Sequence, residues 1–220
     1  MQTPVYKFQP EDHDNVYEPA EDSFLLLDAL EDELEALEQL RPLVCVELGP
    51  GSGIIVTALS KAFGNCVSYC IGVDINPRAC RVTKRTGQLN DCQVEVINMD
   101  LLGGLRDGCV DLLVFNPPYV PTADADSCEL EGRIGEFSAE GHNLVKSWAG
   151  GFDGMVVTKR VLKDLDRILS KDGVFYLLLL KENRPLKVID FLKIEGFIGK
   201  IIKERKIRGE HLFVLKVSRK

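Results

Sequence analysis

The feature that most constrains this chain is the alternation of short apolar runs rich in Val, Leu and Ile with runs of helical period. Strand-like Leu43–Leu48 is followed by helix-like Ile54–Phe63, strand-like Tyr69–Asp74, helix-like Pro77–Leu89 and strand-like Gln93–Ile97. Parallel strands need a crossover of a dozen or more residues, usually a helix, and are apolar on both faces. The rhythm therefore predicts a parallel sheet with helices packed on it. It resumes with strand Val110–Phe115, helix Val156–Leu169, strand Val174–Leu180 and helix Pro185–Glu195. The end differs: Ile198–Lys206 and His211–Val217 are strand-like, and the few residues between them include Gly209, which predicts an antiparallel hairpin.

Upstream of the first strand, Phe24, Leu27, Leu30, Leu34 and Leu37 recur at steps of three and four with acids between them, predicting one amphipathic helix from Glu21 to Leu40, ended by Pro42. The length of 220 residues fits a single domain spanning 1–220. Within it, segment 1–41 is expected to cap the active site. The stretch Pro121–Phe152 keeps no period and is too long for an ordinary connection, so a substrate-facing lid is expected there. No apolar run approaches the roughly 18 residues of a membrane span, and Met1–Pro19 is polar and acidic, unlike a secretory signal. A cytosolic or nuclear location is expected.

The seven cysteines include no CxxC pair and no His at metal-ligand spacing, so reduced thiols and no metal site in this chain are expected. His13, His142 and His211 read as surface or packing residues. The net charge of -7 is unevenly spread: Lys181–Lys220 holds 12 basic and 5 acidic residues, and the body before it is strongly acidic. Such a body repels phosphate backbones, which disfavours unaided binding of long nucleic acid. The basic tail reads as a solvated face before it reads as a contact for RNA or an acidic partner.

Two motifs carry chemistry. The first follows strand Leu43–Leu48: Glu47-Leu48-Gly49-Pro50-Gly51-Ser52-Gly53. Glycines after a strand let backbone approach a ligand closely, but the spacing of Gly49, Gly51 and Gly53 is not the dinucleotide G-x-G-x-x-G, and an acid precedes it. An anionic Glu47 suits a cation better than a diphosphate. S-adenosylmethionine carries a sulfonium and an ammonium and no phosphate. Asp74, at the end of the next strand, is placed to accept ribose hydroxyls or to shape the helix entrance Ile75-Asn76-Pro77, or both. Asp100, after the following strand, is placed to hold the adenine amino group, with Leu101 packing nearby.

The second motif, Asn116-Pro117-Pro118-Tyr119, leaves strand Val110–Phe115 at its carboxyl end. Two prolines stiffen the bend and remove N–H groups. A planar NH2 conjugated to a carbonyl or aromatic ring is a poor nucleophile because its lone pair is delocalised. If the Asn116 side-chain oxygen and the Pro117 carbonyl each accept one of its N–H groups, the lone pair is aimed at a donor methyl. The same two acceptors strengthen as positive charge builds on nitrogen. Tyr119 is expected either to stack on the planar target or to pack in the core.

Together these residues resemble the HemK-like glutamine methyltransferases, and within them the eukaryotic and archaeal branch that acts on class I translation release factors. Val16-Tyr17-Glu18-Pro19-Ala20-Glu21-Asp22-Ser23, Asp74-Ile75-Asn76-Pro77, Trp148-Ala149-Gly150-Gly151 and Lys181-Glu182-Asn183 add to the likeness. The resemblance implies a class I S-adenosylmethionine-dependent methyltransferase fold, an α/β domain whose seven-stranded, mostly parallel sheet ends in an antiparallel hairpin. It implies the glutamine of a Gly-Gly-Gln tripeptide as target and a small zinc-binding activator subunit forming a heterodimer. It also implies that Ser23, Glu47, Gly49, Asp74, Asp100, Leu101 and Asn116 contact the cofactor or lie beside it. An uncovered apolar edge strand at Gln93–Ile97 is the expected docking place for the activator. An adenine-N6 methyltransferase acting on DNA or RNA, a protein lysine methyltransferase and a non-catalytic scaffold are the competing readings. The same Asn-Pro-Pro-Tyr geometry serves an exocyclic aromatic amine.

Overall fold

The computed structural model describes residues 1–64, 68–122, 144 and 147–220. Its centre is a seven-stranded sheet in the order β3-β2-β1-β4-β5-β7-β6. The strands are β1 Val44–Leu48, β2 Tyr69–Asp74, β3 Val94–Asn98, β4 Val110–Phe115, β5 Leu169–Leu180, β6 Phe197–Ile207 and β7 Glu210–Arg219. β1 to β5 pair in parallel, and β7 enters antiparallel between β5 and β6. The rhythm of the sequence is thus realised as a parallel sheet closed by a hairpin.

The helices are α1 Glu21–Asp32, α2 Leu34–Leu40, α3 Ile54–Phe63, α4 Pro77–Leu89, α5 Val156–Ile168 and α6 Pro185–Ile194. Alternation along the strands splits the core in two. Cys45, Leu112, Val114, Tyr176 and Leu178 join α1, α2 and α3 on one face, while Val46, Leu48, Leu113, Phe115, Phe175 and Leu177 join α5 and α6 on the other. α4 packs beside α3 against β2 and β3.

Three expectations are revised. The single helix Glu21–Leu40 is two, broken at Glu33, whose backbone is at φ -92 and ψ 0; its carboxylate accepts from the Tyr176 hydroxyl (3.1 Å) and pairs with Lys216. β5 starts at Leu169 rather than Val174, directly from α5, with a register shift opposite Val110 and Leu112 that absorbs Lys171, Asp172 and Gly173. The basic tail is not simply a solvated face: Arg205 pairs with Glu21 and Asp28, Lys203 with Asp32, and Lys216 with Glu33. The hairpin is a cationic clasp for the acidic α1 and for Glu33 at the break that follows it.

Cys45, Cys70, Cys80, Cys92 and Cys109 are free thiols, whereas Cys66 and Cys128 lie outside the described residues. His13 lies edge-on to Phe8 and His211 stacks on Phe213, while His142 is outside the described residues. Most of the expected lid at 121–152 also lies outside them. Its described end returns to the chain just after Asn116–Tyr119 through an isolated bridge between Val120 and Ala149.

Candidate active site

Strand register assembles the site. Leu48 faces Val73 on one side and Phe115 on the other. Gly49, Asp74 and Asn116 therefore leave the sheet side by side at the carboxyl ends of β1, β2 and β4. The order reverses between β1 and β4, which is where open parallel sheets bind ligands.

The glycine loop is built for close backbone approach. Gly49, Gly51 and Gly53 all have positive φ, at 60, 52 and 78°. A Cβ on Gly53 would come within 2.7 Å of the Thr83 Cα, so this glycine lets α3 start hard against α4. A Cβ on Gly49 would meet nothing within 4 Å, so the turn there borders open space. Thr83 and Thr86 of α4 donate to the Gly51 and Ser52 carbonyls at 3.2 and 2.7 Å and hold the loop's shape.

Two acids lie under this loop. Asp74 accepts from the Gly51 amide (3.4 Å) and the Asn76 amide (2.8 Å), and burial raises its carboxyl above the usual range. The helix-capping role falls to Asn76, which accepts from the Arg78 amide. Glu47 accepts from the Val56 amide at 2.7 Å, and burial, with Asp74's charge adding, pushes its carboxyl up to about 8. Neither acid has a cationic side-chain partner among the described residues. Buried carboxyls without a counter-cation are costly; a sulfonium or ammonium placed at the loop would relieve that cost.

The centre of the second motif is a residue that sequence reasoning did not single out. Asp22, in the first turn of α1 and 4% exposed, accepts at Oδ2 from Asn116 Nδ2 (2.9 Å) and from the Tyr119 hydroxyl (3.0 Å). At Oδ1 it accepts from the Tyr17 hydroxyl (3.4 Å), the Ser23 amide (2.7 Å) and the Ser23 hydroxyl (3.3 Å). A carboxylate facing this many donors acts as acceptor only, so the Asn116 amide is forced to turn its NH2 toward Asp22. Its oxygen then has no protein partner: Asn116 Oδ1 is a buried acceptor left unsatisfied. Leaving such an atom unpaired costs about 1–3 kcal/mol, which an incoming N–H would recover. Among the described residues no backbone hydrogen bond reaches the Pro117 carbonyl either. Tyr119 is buried with its hydroxyl committed to Asp22, and burial together with that charge raises its phenol.

The structure thus brings together Ser23, Asn116, Pro117 and Tyr119 around Asp22, and Glu47, Gly49, Gly51, Gly53 and Asp74 in the adjoining loop. Asp100 stands apart: it is exposed and its carboxylate pairs with Arg160 at 2.6 Å. Leu101, at φ 48, packs partly buried against the α5 side of the core. Asp22 and Asn183 were visible only as letters of longer motifs. Their contacts bridge 94 and 64 residues of sequence, which no local pattern reports.

A parallel sheet closed by this hairpin, with acids and a glycine turn at β1 and β2 and an Asn-Pro-Pro-Tyr bend at β4, defines a class I S-adenosylmethionine-dependent methyltransferase. The methyltransferase small domain family matches residues 21–134, and the chain belongs to it. Methyltransferase HEMK2 of Homo sapiens is 38% identical over 93% of this chain and 90% of its own length. The eRF1 methyltransferase catalytic subunit mtq2 of Schizosaccharomyces pombe is 37% identical over 100% of this chain and 96% of its own. Among solved structures, the E. cuniculi Mtq2-Trm112 complex, described as responsible for methylation of the eRF1 translation termination factor, is 29% identical. It aligns with a TM-score of 0.68 over 94% of this chain and 99% of that one.

Proposed function

We propose that this chain is the catalytic subunit of a protein methyltransferase that moves a methyl group to the side-chain amide nitrogen of the Gly-Gly-Gln glutamine of a class I release factor. The observation that carries the reading is the unpartnered Asn116 Oδ1, turned away from Asp22 by the carboxylate's demand for donors. An acceptor in that state at a rigid bend is suited to a primary amide N–H.

When bound, S-adenosylmethionine supplies an electrophilic methyl on sulfur. Glu47, Asp74 and the Gly49–Gly53 turn would hold its cationic and ribose portions, with Ser23 beside it. Asp100 and Leu101 complete the adenine side, Asp100 after release from Arg160. Asn116 Oδ1 and the Pro117 carbonyl each accept one N–H of the target amide and fix the direction of its lone pair. As the C–N bond forms and the donor's C–S bond breaks to leave a neutral thioether, these contacts would tighten on the positively charged nitrogen, and its surplus proton would pass to water. One preorganised contact of this kind contributes on the order of 3 kcal/mol. Asp22 keeps Asn116 oriented, and segment 1–41 carries Asp22 and Ser23 over the site; the lid read at 121–152 lies largely outside the described residues.

The partner is a small zinc-binding activator that adds to the edge strand β3. This assignment is supported by the resemblance, by the Trm112 subunit named with E. cuniculi Mtq2, and by β3 lying at the sheet edge with Val96 and exposed Ile97. A cytoplasmic location of this chain, with the nucleus as the alternative, goes with a release factor as substrate. The test is a methyl-transfer assay on a release factor with and without the activator. Transfer that persists after the Gln is replaced, or that is absent in the complex, would remove the substrate assignment.

A further inference from the structure

We infer that Asn183 is a positioning residue for methyl transfer: without touching substrate, it fixes the backbone that presents the Asn116 and Pro117 acceptors. The inference rests on the amide-clamp reading above. Asn183 ends the short turn Lys181–Asn183 at the carboxyl end of β5 and is 4% exposed. Its Oδ1 accepts from the Leu180 amide at 2.7 Å, which dictates the orientation of the side chain and leaves Nδ2 to donate. Nδ2 reaches three carbonyls, those of Tyr119 (2.9 Å), Asp153 (3.2 Å) and Gly154 (3.4 Å).

The segments so joined are packed backbone to backbone. A Cβ on Gly154 would lie 2.0 Å from the Tyr119 carbonyl oxygen, and one on Gly150 would lie 2.4 Å from that of Pro118. The Val120 amide donates to the Trp148 carbonyl at 3.0 Å, and the Gly150 amide to the Val120 carbonyl at 2.8 Å. Pro117 and Pro118 have no N–H, so the catalytic bend cannot anchor itself with its own donors. Anchorage begins at Tyr119, whose hydroxyl is held by Asp22 and whose backbone carbonyl is held by the Asn183 side chain. The amide therefore ties three pieces together: the end of β5, the bend after Asn116, and the glycine-rich turn before α5. Alignment in the reacting pair is sensitive to such anchorage, since a displacement of about 1 Å at a site costs roughly 100-fold in rate.

The test uses the chain in complex with its activator, S-adenosylmethionine, and a release factor bearing Gly-Gly-Gln. Asn183→Asp keeps the shape and the acceptor for Leu180 but sets an oxygen against three carbonyls; Asn183→Ala removes the staple without that repulsion. Both variants are expected to lower kcat by about 100-fold for Asp and at least tenfold for Ala, with KM for the release factor and the Kd for S-adenosylmethionine within about threefold of wild type. Amide exchange at Val120 and Gly150 should accelerate, as should that of Leu180 in Asn183→Ala, while that of β4 and of β5 before Leu180 is unchanged. Wild-type kcat in either variant, or loss of rate accompanied by equal loss of cofactor affinity and slow exchange at Val120, would overturn the inference. If the wild-type complex fails to methylate the glutamine, the substrate reading falls, and the exchange at Val120 and Gly150 still decides the anchoring role.

Discussion

At the scale of single residues, the site works by denying choices. Asp22 faces donors at both oxygens, so Asn116 has one amide orientation and its oxygen is reserved. Asp22→Asn keeps the shape but brings an NH2 that competes as a donor, which lets the Asn116 amide turn over. Transfer should fall about 100-fold at unchanged fold by circular dichroism, the size expected for one lost hydrogen bond to charge; wild-type turnover would show that Asn116 is held by something else. Glu47 makes a pH prediction. Its carboxyl is raised from 4.5 to about 8, so the folded chain retains a proton that the unfolded chain has released between those values. Without cofactor, stability therefore falls as pH rises from 4.5 to about 8 and levels off above. A bound cation favours the carboxylate, so cofactor binding below pH 8 releases a proton and affinity climbs with pH toward 8. Calorimetry in buffers of different ionisation enthalpy would read that proton, and a buffer-independent heat would contradict the placement of Glu47 beside a cation.

At the scale of elements, what was legible in the sequence was periodicity. α3, α4, β2 and β4 fall at the predicted residues because each is bounded by local chemistry: Gly53 and Gly64 flank α3, and Asn76 with Pro77 opens α4. The break at Glu33 was not legible, because its cause is a bond to Tyr176, 143 residues away. The early start of β5 was hidden for a similar reason. Lys171-Asp172-Gly173 has the composition of a turn, and only pairing with β4 reveals a bulged strand. The glycine loop and the Asn-Pro-Pro-Tyr bend were legible, but their meeting depends on strand order, and Asp22 and Asn183 enter through contacts made by folding. Gly53 is the element-scale probe. Alanine there must hold φ 78 and place its Cβ 2.7 Å from the Thr83 Cα, forcing α3 and α4 apart. Gly53→Ala should cost roughly 2–4 kcal/mol and lower Tm by about 5–10 °C. An unchanged melting curve would mean that the loop has slack the packing does not suggest.

For the whole molecule, charge and edge strands set the organisation. The cationic hairpin forms ion pairs with Glu21, Asp28 and Asp32 of α1 and with Glu33 just after it, which brings Asp22, between them in sequence, against the sheet end where Asn116 emerges. Each pair is partly exposed and individually weak; their joint effect is to fix which face of α1 looks at the catalytic bend. At the opposite edge of the sheet, β3 ends the order among the described residues, with Ile97 exposed. Ile97→Lys places a charge on that edge and should weaken activator association at least tenfold in a pull-down or titration, while Tm of the isolated chain stays within about 2 °C. Undiminished association would move the interface elsewhere.

The central claim is that the Asn116 oxygen, oriented by Asp22, clamps a glutamine amide for methyl transfer, and mass-spectrometric mapping of the methyl group on a release factor incubated with the complex and S-adenosylmethionine tests it most directly. One methyl on the Gly-Gly-Gln glutamine with the wild-type chain is predicted, and none with Asn116→Ala, which should still bind cofactor normally. Methylation at another residue, or a methylated glutamine from Asn116→Ala at the wild-type rate, would contradict it.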